Sequence, residues 1–465
     1  MKTQVFGLLV FIALLSCSFK ANASRLTSEF FANFVAADTE NAGTKWAVLV
    51  AGSTGWGNYR HQADVCHAYQ VLKKAGLNEE NIIVFMYDDI AYNVNNPRPG
   101  IIINKTKWRR RLPRKNVTAN NFYAAVLGDK SNLTGGSGKV VNSGPDDYIF
   151  IYYTDHGGPG VIEMPGQPIF ADDLNRVLLK KHTANAFKNM VFYLEACESG
   201  SMFEGLLPSN ASIYATTASN ATETSWAEYC PGSGAPEEYG TCLGDLYSIS
   251  WLEDCDVQDL RSRTLEQQYL AVRKRTLEVA KFHGSSHVTQ YGDQSFSGNF
   301  LSVYMGNNPP SISPSPAPCP LPPPSQSPSP ISSPPLTVVR QRDADLVHLH
   351  HKIRTSPLGS QDLLEAQKQL NDELNHRQHL EHSINKIGDI LFGFENNFQV
   401  LKIVRPAGQP IVDDWSCLKK IVGVYEKYCG SLATYGLKYM RDFANICNAG
   451  VTAEQMVLAS IHACS

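Results

Sequence analysis

Tyr152-Tyr153-Thr154-Asp155-His156-Gly157-Gly158 and Tyr193-Leu194-Glu195-Ala196-Cys197-Glu198-Ser199-Gly200 decide how this chain is read. Each run closes an apolar, β-rich stretch, Tyr148 to Tyr153 in one case and Met190 to Leu194 in the other. In an open parallel α/β sheet, reacting groups gather beyond the carboxyl ends of the strands. If these two strands are neighbours, His156 and Cys197 emerge side by side at one rim. A thiol attacks as the thiolate, and a positioned imidazole can take its proton and later protonate the leaving amine. The bland reading, a core cysteine and an unrelated loop histidine, leaves their shared placement at strand ends unexplained.

Working outward, strand-like runs at Trp46–Val50, Ile82–Tyr87 and Ile213–Thr216 join the two above. They alternate with helical patterns over Gln62–Ala75, Phe170–His182 and Arg263–Phe282. That alternation predicts an α/β fold, a mainly parallel sheet with helices on both faces. No Gly-x-Ser-x-Gly elbow is present, which excludes a serine α/β-hydrolase. From Pro309 to Pro335, thirteen of twenty-seven residues are proline and most others serine, so the stretch is read as an extended linker. A ligand for proline-recognition modules is the weaker alternative, because those partners are mostly cytosolic. Beyond it Asp343–Arg354, Ser360–Ile387, Asp413–Cys429, Tyr435–Asn448 and Ala453–Ala463 carry helical periodicity and predict a separate all-helical domain.

The formal charge of −3 over 465 residues argues against nucleic acid or an anionic membrane as the main partner. Lys2, the apolar run Val5–Leu15 and Ala21-Asn22-Ala23 read as a secretory signal, residues 1–23, too short in its apolar part to span a bilayer. An oxidising route then governs the ten cysteines left after Cys17 is removed. Cys230 and Cys242 bracket a Gly/Pro-rich loop and are expected to pair. Cys417, Cys429, Cys447 and Cys464 are expected to form two bridges, with three pairings open. Cys66, Cys255 and Cys319 are unassigned. A zinc site on Cys230, Cys242 and Cys255 lacks CxxC spacing, so neither metal nor cofactor is expected. Sequons at Asn104, Asn116, Asn132, Asn210 and Asn220 are expected at the surface if glycosylated. Lys105–Lys115 holds seven basic residues in eleven and is read as a solvated basic loop that could favour acidic flanks in a substrate or touch the C-terminal domain.

A His-Gly followed about forty residues later by Glu-Ala-Cys resembles the caspase signature. Ala51-Gly52-Ser53, Asn58 to Asp64, Met86 to Asp89, Asn96 to Gly100, Tyr152 to Gly160, Glu195 to Phe203 and Leu243 to Ser248 together resemble the legumains, or asparaginyl endopeptidases, and most closely their plant vacuolar members. The resemblance runs from about Lys45 to the last residue. It implies a caspase-like sandwich over 45–307 after a short propeptide at 24–44. A linker over 308–338 and a death-domain-like inhibitory prodomain over 339–465 follow.

It further implies Cys197 as nucleophile, His156 as base and acid, Asn58 as the group orienting His156, and the Gly157 N–H, with that of Cys197, as oxyanion donor. An asparagine pocket needs a donor for the carboxamide oxygen and acceptors for its two N–H hydrogens. The resemblance assigns these to Arg60, Glu195 and Asp245, with His61 beside them and Ser225 at the rim. Aspartate would fit only when protonated. The favoured bridges become Cys417–Cys447 and Cys429–Cys464.

Some relatives pass the acyl group to an amine and so ligate peptides. Gly158-Pro159 resembles the protease-like state while Ala227 leans toward ligase, so hydrolysis is expected with ligation as a side activity. An inactive scaffold is disfavoured by the intact constellation. Self-processing is expected after Asn307, with Asn308, Asp343 and Asp345 as alternatives, since Asn308 precedes proline. Residues 339–465 hold seven of thirteen histidines with 14 basic and 14 acidic residues, so this segment turns cationic below about pH 6.5 and is expected to leave the core in acid.

Overall fold

The computed structural model describes residues 43–104, 107–108, 116–281, 284, 286–307 and 338–465. The expected signal peptide (1–23), nearly all of the expected propeptide (24–44), most of the basic loop, Cys319 and the proline tract lie outside the described residues.

Six strands form the main sheet in the order Thr289–Gly292, Ile213–Thr217, Asn189–Glu195, Tyr148–Thr154, Lys45–Ala51, Ile82–Phe85. Five are parallel, and Thr289–Gly292 closes one edge antiparallel to Ile213–Thr217. The strands read as continuous apolar runs because both faces are covered. Ala47, Leu49, Phe150, Tyr152, Val191 and Tyr193 pack under the helices Tyr59–Lys74, Leu246–Val257 and Leu265–Ala280. The alternate residues Val48, Val50, Ile149, Ile151, Phe192 and Leu194 pack under Ala119–Leu127 and Ala171–Thr183. All five predicted strands and all three predicted helices of this half are present, and the helices Ala119–Leu127 and Leu246–Val257 are additional.

The C-terminal helices are Ala344–Thr355, Gln361–Phe392, Asn397–Leu401, Trp415–Cys429, Met440–Asn448 and Ala453–Cys464, with a short turn at Ala433–Gly436. Disulfides Cys417–Cys447 and Cys429–Cys464 tie Trp415–Cys429 to the last two helices. This bundle does not stand apart from the sheet. Residues 45–465 form one compact unit, and Val161 and Phe170 of the sheet half lie in the apolar cluster of Ile411, Leu437 and Tyr439. Lys419 reaches across to Asp172 and Asp173 at 2.7 and 3.0 Å.

One sequence expectation needs correction. Asn104 is buried, and its amide nitrogen donates to Asp64 at 2.5 Å and to the Leu243 carbonyl at 2.9 Å, so the nitrogen that would carry a glycan is already committed. Asn116, Asn132 and Asn210 are exposed and Asn220 is half-buried. The zinc alternative fails because Cys230 and Cys242 are joined in a disulfide, while Cys66 and Cys255 are free and buried. Burial pushes the Cys66 thiol up to about 12, which leaves it unreactive.

Candidate active site

Thr154 and Glu195 are partners on neighbouring parallel strands, so His156 and Cys197 leave the same rim two residues later. The Asp155 N–H donates to the Glu195 carbonyl at 3.1 Å and continues the pairing one step past the strand ends. Asn58 Oδ1 lies 2.7 Å from His156 Nε2. Asn58 Oδ1 can only accept and at 2.7 Å is the closer partner, ahead of Arg60 Nη2 at 3.3 Å, so it favours the tautomer with the proton on Nε2 and a lone pair on Nδ1. Nδ1 is buried and has no hydrogen-bond partner among the described residues. That leaves the ring in the tautomer a base requires.

Cys197 Sγ lies 3.2 Å from Thr224 Oγ1, 3.6 Å from Ser225 Oγ and 3.5 Å from the Gln341 side-chain oxygen. The thiol is fully buried, and that burial raises its pKa against the pull of Arg342. His156 is held well below its ordinary value by burial, then by Arg60, Arg342 and Arg377. As folded here, thiol and imidazole are both kept neutral. A Cβ on Gly157 would come within 2.9 Å of the Ala196 side chain and 3.0 Å of the Cys197 carbonyl, so only glycine fits beside the thiol.

Helix Tyr59–Lys74 and the short strand Gly244–Asp245 build the pocket next to it. Arg60 Nε donates to Asp245 Oδ1 at 2.9 Å, with both side chains fully buried. His61 lies 3.5 Å from Asp245 Oδ2 and 5.0 Å, edge to face, from the His156 ring. Glu195 Oε2 accepts from the N–H and hydroxyl of Ser248, both at 3.0 Å. Glu195 Oε1 and Asp245 Oδ2 have no hydrogen-bond partner among the described residues. Burial, reinforced by their mutual repulsion, holds Glu195 well above the ordinary carboxylate range; Asp245 is also raised, with Arg60 opposing. Two unmet acceptors and one cation suit a neutral carboxamide.

The junction of the expected linker and prodomain, Val338 to Arg342, occupies this cleft. Val338–Arg340 pairs antiparallel with Trp226–Glu228, and Ala227, buried, sits between Val339 and Asp245. Gln341 continues the strand, its N–H donating to the Ser225 carbonyl at 3.0 Å. Its side-chain nitrogen lies 3.4 Å from both Asp245 Oδ1 and His61 Nε2. Arg342 donates to the Gly157 carbonyl at 2.9 Å and pairs with Glu198. Arg377, on the long helix, holds the segment from behind through Asp343 at 2.8 Å, Asp345 at 3.0 Å and the Arg342 carbonyl at 2.8 Å. Leu437 closes the other side, and a Cβ on Gly158 would overlap its carbonyl.

Neither Gln341 nor Arg377 was singled out from sequence. The one available signal for Gln341 was its carboxamide, the group the pocket was expected to bind. Asn307 is exposed and accepts from Lys45 Nζ.

The peptidase C13 family matches residues 45–307, and the legumain prodomain matches 368–464. The chain belongs to the peptidase C13, or legumain, family. It is 54% identical over 438 residues to a vacuolar-processing enzyme of Vicia sativa, covering 92% of this chain and 87% of that one. Another vacuolar-processing enzyme, from Citrus sinensis, is 54% identical over 91% of this chain and 86% of its own length. A legumain from Canavalia ensiformis is 47% identical over 97% of this chain and 96% of its own length. The chain is therefore a cysteine endopeptidase of the legumain type, and its helical region over 368–464 is a legumain prodomain. The mixed α/β core with a mainly parallel sheet and the helical prodomain accord with the fold expected from sequence.

Proposed function

We propose that the matured protein cleaves peptide bonds after asparagine through a Cys197 acyl-enzyme, and that the intact chain is its latent form. The observation that carries this reading is the Gln341 carboxamide lying against Asp245 and His61 beside Cys197, with its backbone N–H extending the antiparallel pairing of Val338–Arg340. Asparagine offers the same group on a side chain one methylene shorter, and its two N–H hydrogens would meet Glu195 Oε1 and Asp245 Oδ2. Once residues 338–343 leave, the loss of burial and of Arg342 and Arg377 lets His156 Nδ1 accept the Cys197 proton. The thiolate attacks the carbonyl carbon, and the Gly157 and Cys197 N–H groups receive the developing oxyanion. His156 returns the proton to the leaving amine, and water hydrolyses the thioester. An ionised aspartate would face the two unmet carboxylate oxygens, so cleavage after Asp is confined to low pH.

The secretory signal and the vacuolar relatives support an acidic vacuole as the working compartment and vacuolar proproteins as substrates. No helix among the described residues is long and apolar enough to cross a membrane. Maturation is placed after Asn307, next to the proline tract. Ligation is a second reading favoured by Ala227, which is buried and pairs with Val339 of the covering strand, whereas Gly158-Pro159 favours hydrolysis. Peptides differing only in Asn, Asp or Gln before the cut, assayed with and without a competing peptide amine, test both. The expected result is cleavage after Asn, cleavage after Asp only in acid, none after Gln, and a minor ligated product. Equal turnover of the Asn and Gln peptides would overturn the pocket assignment.

A further inference from the structure

Helix Tyr59–Lys74 places Arg60, Asp64 and His67 on one face through spacings of four and three residues. Arg60 belongs to the pocket. Asp64 is buried beside Asp245 and Glu195, and its carboxyl is raised by burial and by both of those charges; His67, three residues further along the helix, is also buried. Asp64 Oδ2 accepts the backbone N–H of Asp245 at 3.1 Å, and its Oδ1 accepts from the Asn104 amide nitrogen at 2.5 Å. That nitrogen also donates to the Leu243 carbonyl at 2.9 Å, so the Asn104 side-chain orientation is fixed by two acceptors. Its oxygen then faces His67 Nδ1 at 3.2 Å, while His67 Nε2 lies 2.9 Å from Asp256 Oδ2.

The two ring nitrogens thus link Asn104 on one side to Asp256 on the other. Gly244 makes room for this convergence, because a Cβ there would stand 2.9 Å from the Asn104 nitrogen and 3.2 Å from Asp64 Oδ1. A continuous chain of hydrogen bonds thus runs from Asp256, whose side chain is 25% exposed, through His67, Asn104 and Asp64 to the backbone that carries Asp245.

We propose that His67, Asn104 and Asp64 are positioning residues for recognition of the residue before the cut bond. They touch no substrate. They hold the Asp245 backbone so that its carboxylate meets Arg60 on one side and the substrate carboxamide on the other. Loosening the chain therefore acts first on an acceptor of the specificity pocket, whereas Cys197 and His156 are carried by the paired strand ends at Glu195 and Thr154. The inference rests on the asparagine-pocket reading above.

The test uses the full chain matured in acid, as wild type, His67→Gln and Asp256→Asn. A glutamine amide cannot serve both partners from the two ring positions, and Asp256→Asn weakens only the surface end of the chain. KM and kcat are measured on an Asn peptide, and the rate of Cys197 alkylation by iodoacetamide is measured alongside. His67→Gln is expected to raise KM about tenfold with kcat within about threefold and alkylation unchanged, and Asp256→Asn to raise KM about threefold. If His67→Gln does not fold, Asp256→Asn decides alone.

Unchanged KM in the folded variants overturns the inference while the pocket reading stands. Kinetics and alkylation that fall together also overturn it, since that marks a general lesion. Wild-type enzyme that does not cleave after Asn overturns the pocket reading and this inference with it.

Discussion

The catalytic rim and the segment that covers it are held by different kinds of contact. Cys197 and His156 leave the ends of paired, fully buried strands, and Arg60 and His61 stand beside them in the buried first turn of helix Tyr59–Lys74. The covering segment is only a three-residue strand, followed by side-chain contacts from Gln341, Arg342 and Arg377. Chemistry is built into the fold, whereas latency is built on top of it. The rim should therefore tolerate loss of the cover, and the cover should be removable by single side-chain changes that leave the sheet intact.

The largest expected effect tests the rim. Cys197→Ala or His156→Ala removes covalent catalysis, and turnover of an Asn peptide by the matured enzyme should fall at least about 10³-fold with melting temperature preserved. Turnover retained by purified Cys197→Ala protein would break the assignment.

Next in size is a change that turns the cover into a substrate. Gln341 has the right functional group on a chain one methylene too long, and its side-chain nitrogen stays 3.4 Å from Asp245. Gln341→Asn should let the carboxamide settle deeper and bring the 341–342 bond under Cys197. Mass spectrometry is expected to find chains beginning at Arg342. Folded Gln341→Asn protein that keeps this bond through acid maturation would show that the segment does not lie as a substrate does.

These two tests fall on opposite sides of what the sequence revealed. The strand ends bearing His156 and Cys197 were legible because continuous apolar runs stopped beside reactive residues, and burial on both sheet faces produces such runs. Helix Leu246–Val257 was not assigned, since Ile249, Trp251 and Leu252 are buried alongside Ser248 and Ser250 and no amphipathic stripe results. Val338–Arg340 was hidden for another reason. Three residues have no periodicity of their own, and their extension comes from pairing with Trp226–Glu228, more than a hundred residues away. Arg377 reads as one more charge on a long polar helix until Asp343 and Asp345 are brought to it. Asn104 satisfied a sequon, and only tertiary packing shows its nitrogen committed elsewhere.

Arg377→Ala sharpens the comparison at smaller amplitude. Its side chain is 10% exposed, but Asp343 and Asp345 are about 40% exposed, so solvent screens part of the interaction. Loss of these charge-assisted bonds, and of its stacking on Tyr435, should make Cys197 in the intact zymogen about tenfold more reactive toward iodoacetamide at neutral pH. Unchanged reactivity would mean that the strand pairing alone holds the cover.

The smallest effect concerns acid release. Of the seven histidines expected to drive it, His348 and His351 face the peptidase half. His348 Nδ1 lies 2.8 Å from the Gly240 carbonyl, and His351 lies 3.7 Å from Glu237 with its ring against Gly240. His379 and His462 bond to carbonyls within the prodomain. Burial lowers His348 below its ordinary value of about 6.5, with Lys352 and His351 adding to that, against the Gly240 carbonyl. A depressed histidine favours the docked state while neutral. Its contribution is full above about pH 6.5 and is lost as pH falls through the lowered value, because the released form takes the proton first. Glu163, under Thr434, opposes this: burial raises its carboxyl, so its protonation in acid favours the docked form. His348→Gln keeps a donor for Gly240 and removes the titration, so half-maximal prodomain release should move down by about half a pH unit. The measurement is prodomain–core affinity from pH 7.5 to 4 in Cys197→Ala protein cut at the linker. A release midpoint that does not move, or that moves up, would transfer the acid response from His348 to the ion pairs of Lys419 and Arg342.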